Sequence, residues 1–581
     1  MSLPGRLGRL ERAGTIVLLA AAAWYWLRFF HRSTNLLDEG STAWQALRVF
    51  NGELIYRDFF TVVTPLSYYT VALLYAVFGT SLMVLRWAAF AAGLGVLLVT
   101  FFVTRRVAPW PFAAGAALMT TVFGWFLVTP NFYSLQASLF SMLALAAYVH
   151  GSPAPRWLLL SGAAVGMTAM TKQNVGAYTA VALLLTIWLS RLFDDRHDVR
   201  GRIKMTAQFV AGICVPVVPT VIFLIASGAG PYLYESWIYY PLTKYPPRFA
   251  LPYPEFAPVL QMLPAVMMGR VSEPAVYDYW VGLVVHLPTI TYPLALISIA
   301  VLAYRYQRTR DPRPKHEGHA LLAITLTAMF TLLQAWPRAD IPHILFALPP
   351  TYALFAYLLA RLVPDTNRAE QWLVPDTNHG RAGWSRGGGG GAARSVARGI
   401  ARGVALAPML VLLWYGYQRT NWEYQNYVAG LHVERGRGIV TQYLEAQRID
   451  VVTTYLVDHT TPDEPIFVVP WASGFYFLAN RNNPTRTDFL LFEDPELYPC
   501  LIARLDARPP KYVVYGYTWD VDGKRFSEYA APVDRYIRSR YAIEFTTDGY
   551  EIWRRRDDAP QAAGTFPRAC QPRRFRINDW F

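Results

Sequence analysis

The sequence predicts a polytopic α-helical membrane protein of about 11 transmembrane helices that ends in an extracytoplasmic α/β domain. Three observations predict it. The 581-residue chain is 54% hydrophobic and 16% charged, where ordinary soluble proteins carry roughly 25% charged residues. Its apolar residues fall in runs of about 17 to 22, long enough at about 1.5 Å per residue to cross roughly 30 Å of hydrocarbon. After Asn421 the chain turns polar and its hydrophobic period changes, as it does where a soluble domain begins. Fibrous, disordered and disulfide-scaffold classes are excluded by the same composition.

Candidate spans run roughly over 13–30, 82–104, 111–129, 133–149, 157–171, 175–191, 206–227, 283–304, 319–336, 343–361 and 403–418. The basic start MSLPGRLGRLER precedes an apolar run without a small-residue cleavage site, so it reads as a retained first span. The segment SYYTVALLYAVFG at 67–79 is short for a span and suits a re-entrant or interfacial helix. Treated as non-spanning, it leaves Arg6, Arg9 and Arg12, Arg105 and Arg106, Arg191 to Lys204, Arg305 to Lys315 and Arg361 to Arg402 on one common side. The positive-inside rule makes that side cytoplasmic, so the net charge of +14 reflects topology and not nucleic-acid binding.

This orientation divides the chain into a membrane module over 1–418, with external loops at 31–81 and 228–282, and a soluble extracytoplasmic domain over 419–581. A cytoplasmic Gly/Arg-rich stretch at 363–402, containing GRAGWSRGGGGGAARS and the duplicated LVPDTN, reads as a flexible linker. In the tail, helices are expected near GIVTQYLEAQRIDVVTTYLVDHT and PVDRYIRSRY and a helix or turn through ASGFYFLANR, with strands at PIFVVP, KYVVYGY, YAIEF and YEIWRR. Cys500 and Cys570 lie in this tail and can pair if it is extracytoplasmic, while Cys214 lies in an apolar run.

The first external loop places Asp38 and Glu39 just past the first span. Carboxylates at the mouth of a membrane cavity are costly to desolvate, which marks them as functional candidates. An amphipathic stretch with Trp44, Leu47, Val49 and Phe50 beside Gln45 and Arg48 follows them. The external turns add Lys172, Gln173 and Asn174 from TKQNVG, and Arg338, Asp340 and His343 from PRADIPH. Competing uses are a snorkelling Lys172, an Arg338–Asp340 pair and a neutral interfacial His343. The loop at 228–282 is rich in Tyr and Trp, which suit the headgroup layer or a sugar face; Glu235, Lys244 and Arg248 lie among them. No GxGxxG, Walker, GxSxG, HExxH, CxxC or DxDxDG arrangement is present, which removes support for nucleotide, serine-hydrolase and recognisable metal-site readings.

The order DEG, Q, NGELIYRDFF, TPLSYY and FGTSLMVLR over the first hundred residues resembles the GT-C superfamily of glycosyltransferases, in particular bacterial relatives of protein mannosyltransferases and aminoarabinose transferases. The resemblance implies an inverting transfer of a sugar, of mannose or arabinose type, from a polyprenyl-phosphate carrier to an acceptor hydroxyl on the external face of the inner (plasma) membrane. It implies Asp38 as the base, with Glu39 holding it or the acceptor, and Asp58 of YRDFF as a reserve unless Asp58 pairs with Arg57 or Arg48. Lys172, Gln173, Asn174, Arg338, Asp340 and His343 are then expected around the leaving phosphate. The expected partners are the lipid-linked sugar, a glycan, lipid or protein acceptor, and membrane lipid. No cofactor is required by the sequence, and a divalent cation beside Asp38 and Glu39 is compatible with the resemblance. The competing reading is a lipid-linked-sugar transporter or non-catalytic carrier-lipid-binding protein of the same fold.

Overall fold

The computed structural model describes residues 9–124, 131–194, 198–310, 312–363, 390–518, 520–521 and 523–559. Helices occupy the eleven predicted spans: α1 (Arg9–Phe29), α4 (Leu82–Thr104), α5 (Trp110–Val122), α6 (Phe132–Gly151), α7 (Pro155–Thr171), α8 (Gln173–Leu189) and α9 (Val199–Ala226), then Leu287–Thr309, Pro312–Leu332, Pro349–Arg361 and Gly390–Tyr424. Most of α9 is exposed apolar surface, including Val215, Ile222 and Phe223, which only a lipid environment satisfies. The chain is therefore a multi-pass membrane protein. The fifth span was expected to reach residue 129, of which 125–129 lie outside the described residues. Of the stretch expected as linker, 364–389 lies outside the described residues, and the part from Gly390 to Arg402 is about the first third of a 35-residue helix. Its Ala and Arg residues are good helix formers and continue into an apolar span without a break.

Between α1 and α4 the chain forms two further helices, α2 (Asp38–Phe50) and α3 (Leu66–Phe78), each of 13 residues. At about 1.5 Å per residue each is about 20 Å long. Asn35 starts α2 by accepting the N–H groups of Leu37 and Asp38 at 2.9 and 2.8 Å, so two donors of the first turn are satisfied from outside the helix. Gly79, at φ +82, ends α3, and the Ser81 hydroxyl caps α4 through the Met83 N–H at 3.2 Å.

The polar tail folds as expected into an α/β domain. Two short ribbons, β1 (Tyr427–Gly430) with β2 (Val440–Gln442) and β5 (Asp520–Val521) with β6 (Lys524–Arg525), flank a four-stranded sheet. Its order is β3 (Ile466–Val469), β4 (Tyr512–Gly516), β8 (Tyr550–Arg555), β7 (Tyr541–Thr547); β3 and β4 are parallel and the other pairs antiparallel. Side chains of β3 alternate between two cores. Phe467 and Val469 join Leu501, Leu505, Val533 and Ile537 on one face, while Ile466 and Val468 face Ile449, Val452 and Phe475 on the other. The second core continues through Trp44 and Leu47 of α2 into Leu82 and Leu85 of α4, so the domain and the membrane helices share one hydrophobic interior.

The helix Gly474–Ala479 docks on α2 at its closest approach. Trp44 stacks on Tyr476 with centroids 5.3 Å apart, and the Gly474 N–H donates to the Leu36 carbonyl at 2.8 Å. A Cβ at Gly40 would lie 2.6 Å from Gly474 Cα and N, atoms of backbone that cannot swing away. Gly40→Ala is therefore expected to cost about 1–3 kcal/mol by overpacking. A lowered melting temperature in detergent with faster proteolysis between α1 and α4 is the expected readout, and an unchanged melt would mean that this contact is loose.

Candidate active site

Asp38 opens α2 at the boundary between the membrane helices and the polar domain. Its carboxylate is half-buried and receives a long bond of 3.4 Å from Asn35 Nδ2. Burial raises its pKa; His343 and Arg338 act in the opposite direction, Asp340 adds to the rise, and the net displacement is upward. The turn before Pro349–Arg361 thus faces a carboxylate roughly three hundred residues earlier in the chain.

That turn is itself tightly built. Arg338 Nε donates to Asp340 Oδ2 at 2.6 Å, and His343 Nδ1 lies 2.5 Å from Asp340 Oδ1. Asp340 also caps the short helix Ile341–Leu345 by accepting the His343 N–H at 3.1 Å. Burial pushes the Asp340 carboxyl up, but His343 and Arg338 outweigh it and hold it at about 2. The loop after α9 clamps the turn in place: the Leu251 N–H donates to Pro337 O, and the Ala339 N–H to Leu251 O, both at 3.0 Å.

Lys172 sits at the junction of α7 and α8 and completes the group. Its ammonium lies 5.7 Å over the Tyr133 ring and donates to Ser134 Oγ at 3.2 Å and Gln334 Oε1 at 3.4 Å. Electrostatically it is coupled to both Asp340 and Asp38. Two carboxylates, Asp38 and Asp340, and three basic side chains, from three segments far apart in sequence, therefore converge at one place. Such an arrangement can take a proton from a hydroxyl and hold an oxyanion nearby.

The remaining expected residues are placed elsewhere. Glu39, expected to hold Asp38 or the acceptor, is 1% exposed and forms a two-pronged ion pair with Arg86, whose Nη2 is 2.6 Å from Glu39 Oε2. The reason is that neighbours on a helix diverge by about 100°, so adjacent carboxylates cannot serve one site. Arg86 also donates to the carbonyls of Phe30, Arg32 and Ser33, each at 2.9 Å, tying the start of the loop to α4. Asp58 forms the competing salt bridge, with Arg57 at 2.8 Å through both oxygens, and accepts the Leu54 N–H at 2.7 Å. Gln173 donates to the Val62 carbonyl at 2.7 Å, and Asn174 accepts its neighbour Val175 N–H at 2.9 Å. Lys244 and Arg248 bind Asp494 and the Glu493 carbonyl of the polar domain. Cys500 is disulfide-bonded; Cys570 lies outside the described residues, and Cys214 is a free thiol. Among the described residues no three His, Cys, Asp or Glu side chains group as metal ligands.

Two residues of the surrounding structure escaped the sequence reading. Arg86 carried a signal, because an arginine inside an apolar span is rarely without a partner. Asp488 carried none. It is 7% exposed in the polar domain and accepts Ser41 Oγ at 2.8 Å and Gln45 Nε2 at 3.1 Å. Burial raises its pKa, against Ser41, Arg48 and Gln45.

Among solved structures the chain is similar to the archaeal oligosaccharyltransferase AglB from Archaeoglobus fulgidus, in complex with an inhibitory peptide and a dolichol-phosphate. The TM-score is 0.51 at 14% identity, over 95% of this chain and 75% of that one. It is also similar to ArnT from Cupriavidus metallidurans in the apo state, with a TM-score of 0.50 at 13% identity, over 94% of this chain and 98% of that one. No protein-family model matches the chain, and no curated protein matches it by sequence. At this identity the likeness establishes the fold alone, a polytopic helical module followed by a strand-containing domain.

Proposed function

We propose that this chain is an inverting glycosyltransferase that moves a sugar, of mannose or arabinose type, from a polyprenyl phosphate to an acceptor hydroxyl on the extracytoplasmic side of the inner (plasma) membrane. The observation that carries the reading is the convergence of Asp38 with Lys172, Arg338 and His343 where the membrane helices meet the polar domain. The likeness in fold to an oligosaccharyltransferase solved with dolichol-phosphate supports it.

In the proposed step the acceptor oxygen attacks the anomeric carbon while its proton passes to Asp38. The bond from that carbon to the phosphate oxygen breaks on the opposite face, and the polyprenyl phosphate leaves with the electron pair. Charge grows on the departing phosphate, where the Lys172 ammonium, which retains a proton to donate, and the Arg338 guanidinium stabilise it. The acceptor is a glycan, lipid or protein hydroxyl. The test is transfer of radiolabelled sugar from a panel of polyprenyl-phosphate sugars in membranes containing the protein. One productive donor is expected; no transfer from any donor would leave the carrier-lipid-binding reading in its place.

Asp38 acts as a base only when ionised, and its pKa lies above the ordinary carboxylate value. The acid limb of kcat/KM against pH is therefore expected above the usual carboxylate range, with activity rising as pH increases through it. His343→Asn removes a group that lowers this pKa and leaves Asp340 less compensated, and both changes move the limb to higher pH. A limb that does not move in His343→Asn would exclude Asp38 as the titrating base.

A further inference from the structure

Beyond Asp38, α2 leads to a second polar feature. Asp38, Ser41, Gln45 and Arg48 recur at helical spacing on one face of α2. At about 1.5 Å per residue, Arg48 lies about 15 Å along the axis from Asp38. It lines a cleft of about 250 Å³ between the first loop and the polar domain, where Arg486, Arg504 and Arg508 meet it opposite Glu53 and Asp58. On the order of eight waters would fill that volume.

The two carboxylates are already matched. Glu53 accepts Arg48 Nε and Nη2 at 2.9 and 2.6 Å, and Asp58 is paired with Arg57. Four arginines line the cleft against these two carboxylates, and Glu493 of the polar domain offsets Arg486 and Arg504 in part. Arg486 donates to the Tyr56 carbonyl at 2.6 Å from a Tyr56 held at φ +69, and lies 4.7 Å over the Tyr232 ring. Its buried Nε–H finds no acceptor among the described residues. Neither does the indole N–H of Trp44, a cleft-lining residue that is 2% exposed. Buried donors are rarely left without acceptors, and guanidinium groups pair best with oxyanions. Burial and the adjacent Arg486 charge lower the pKa of Arg504 against the opposing pull of Glu493, and an anion between the two arginines would relieve their repulsion further.

We propose that this cleft binds an oxyanion, a phosphate or carboxylate group, carried by the acceptor about 15 Å from its reacting hydroxyl. The assignment to the acceptor rests on Asp38 being the base; the anion site itself does not. Calorimetric titration of the full-length protein in detergent with inorganic phosphate, with glucuronate and with uncharged glucose tests it. Saturable binding of phosphate or glucuronate, but not glucose, is expected. Phosphate alone assigns a phosphate group, and glucuronate alone a carboxylate. Arg504→Gln is expected to weaken binding at least about tenfold, the loss of one charge-assisted hydrogen bond. Asn482→Asp, a partly exposed cleft residue whose change adds a negative charge, is expected to do the same without lowering the anion-free melting temperature. Asp38→Asn is expected to bind as the parent does. No saturable anion binding by the parent, or equal binding by both cleft variants, overturns the site. In transfer assays the anion should compete with acceptor and not with donor; competition with donor overturns the acceptor assignment. If no donor supports transfer, the Asp38 reading fails, while the titration still decides the cleft.

Discussion

Asp38→Asn is expected to lower sugar transfer by about 10² to 10⁴-fold, the usual contribution of a positioned general base. The loss should fall on kcat, with the KM for the lipid donor little changed, because the donor phosphate is assigned to Lys172 and Arg338. The fold should survive. Asn has nearly the same shape, and α2 is started by the Asn35 side chain, which accepts main-chain N–H groups and not the Asp38 carboxylate. The direction of the stability effect is also set. A carboxyl whose pKa is raised by folding stabilises the protein below its unfolded pKa, and this is lost as pH rises through the folded one. At neutral pH the ionised Asp38 therefore costs stability, and the neutral amide is expected to leave the melting temperature unchanged or raise it. Equal transfer by the variant, or loss of transfer with a lowered melt, would count against a catalytic Asp38.

Arg86→Met is expected to destabilise the protein by about 3–5 kcal/mol, because it leaves a buried carboxylate without its counter-ion. Arg86 and Glu39 are each 1% exposed, and the same guanidinium gathers three carbonyls around Ser33, a residue held at φ +76. Losing it should release the loop that carries Asp38, so transfer and melting temperature fall together. The double variant Arg86→Met, Glu39→Leu should recover a large part of the stability, since an apolar pair can replace a buried ion pair at little cost. Thermal unfolding in detergent with proteolysis of residues 31–66 decides it. A parental melt in Arg86→Met would show that the pair is not what holds the loop.

The spans and the domain boundary were legible because they are local properties. Crossing hydrocarbon requires an uninterrupted apolar helix, and each such helix satisfies its own backbone without help from distant residues. The strands of the tail were legible for a similar reason: IFVV and YVVYG are short apolar runs bounded by turn residues, as strands buried on both faces are. The candidate site was legible only as a set of residues on one side of the membrane. Lys172, Gln173 and Asn174 are consecutive, yet Lys172 turns toward Tyr133 and Gln334 while Gln173 turns to Val62 and Asn174 to its own helix start.

The sequence by itself determined the multi-pass architecture, the polar C-terminal domain and the candidacy of Asp38, because hydrophobic run length and the placement of charge follow from the order of residues. Only the tertiary structure decided which neighbours do what. Glu39 was assigned to Arg86 and away from Asp38, Arg338 and His343 were brought to a carboxylate three hundred residues earlier, and Asp488 was set against Ser41 and Gln45. These pairings depend on directions around helices and on contacts between distant segments, which exist only once the chain has packed.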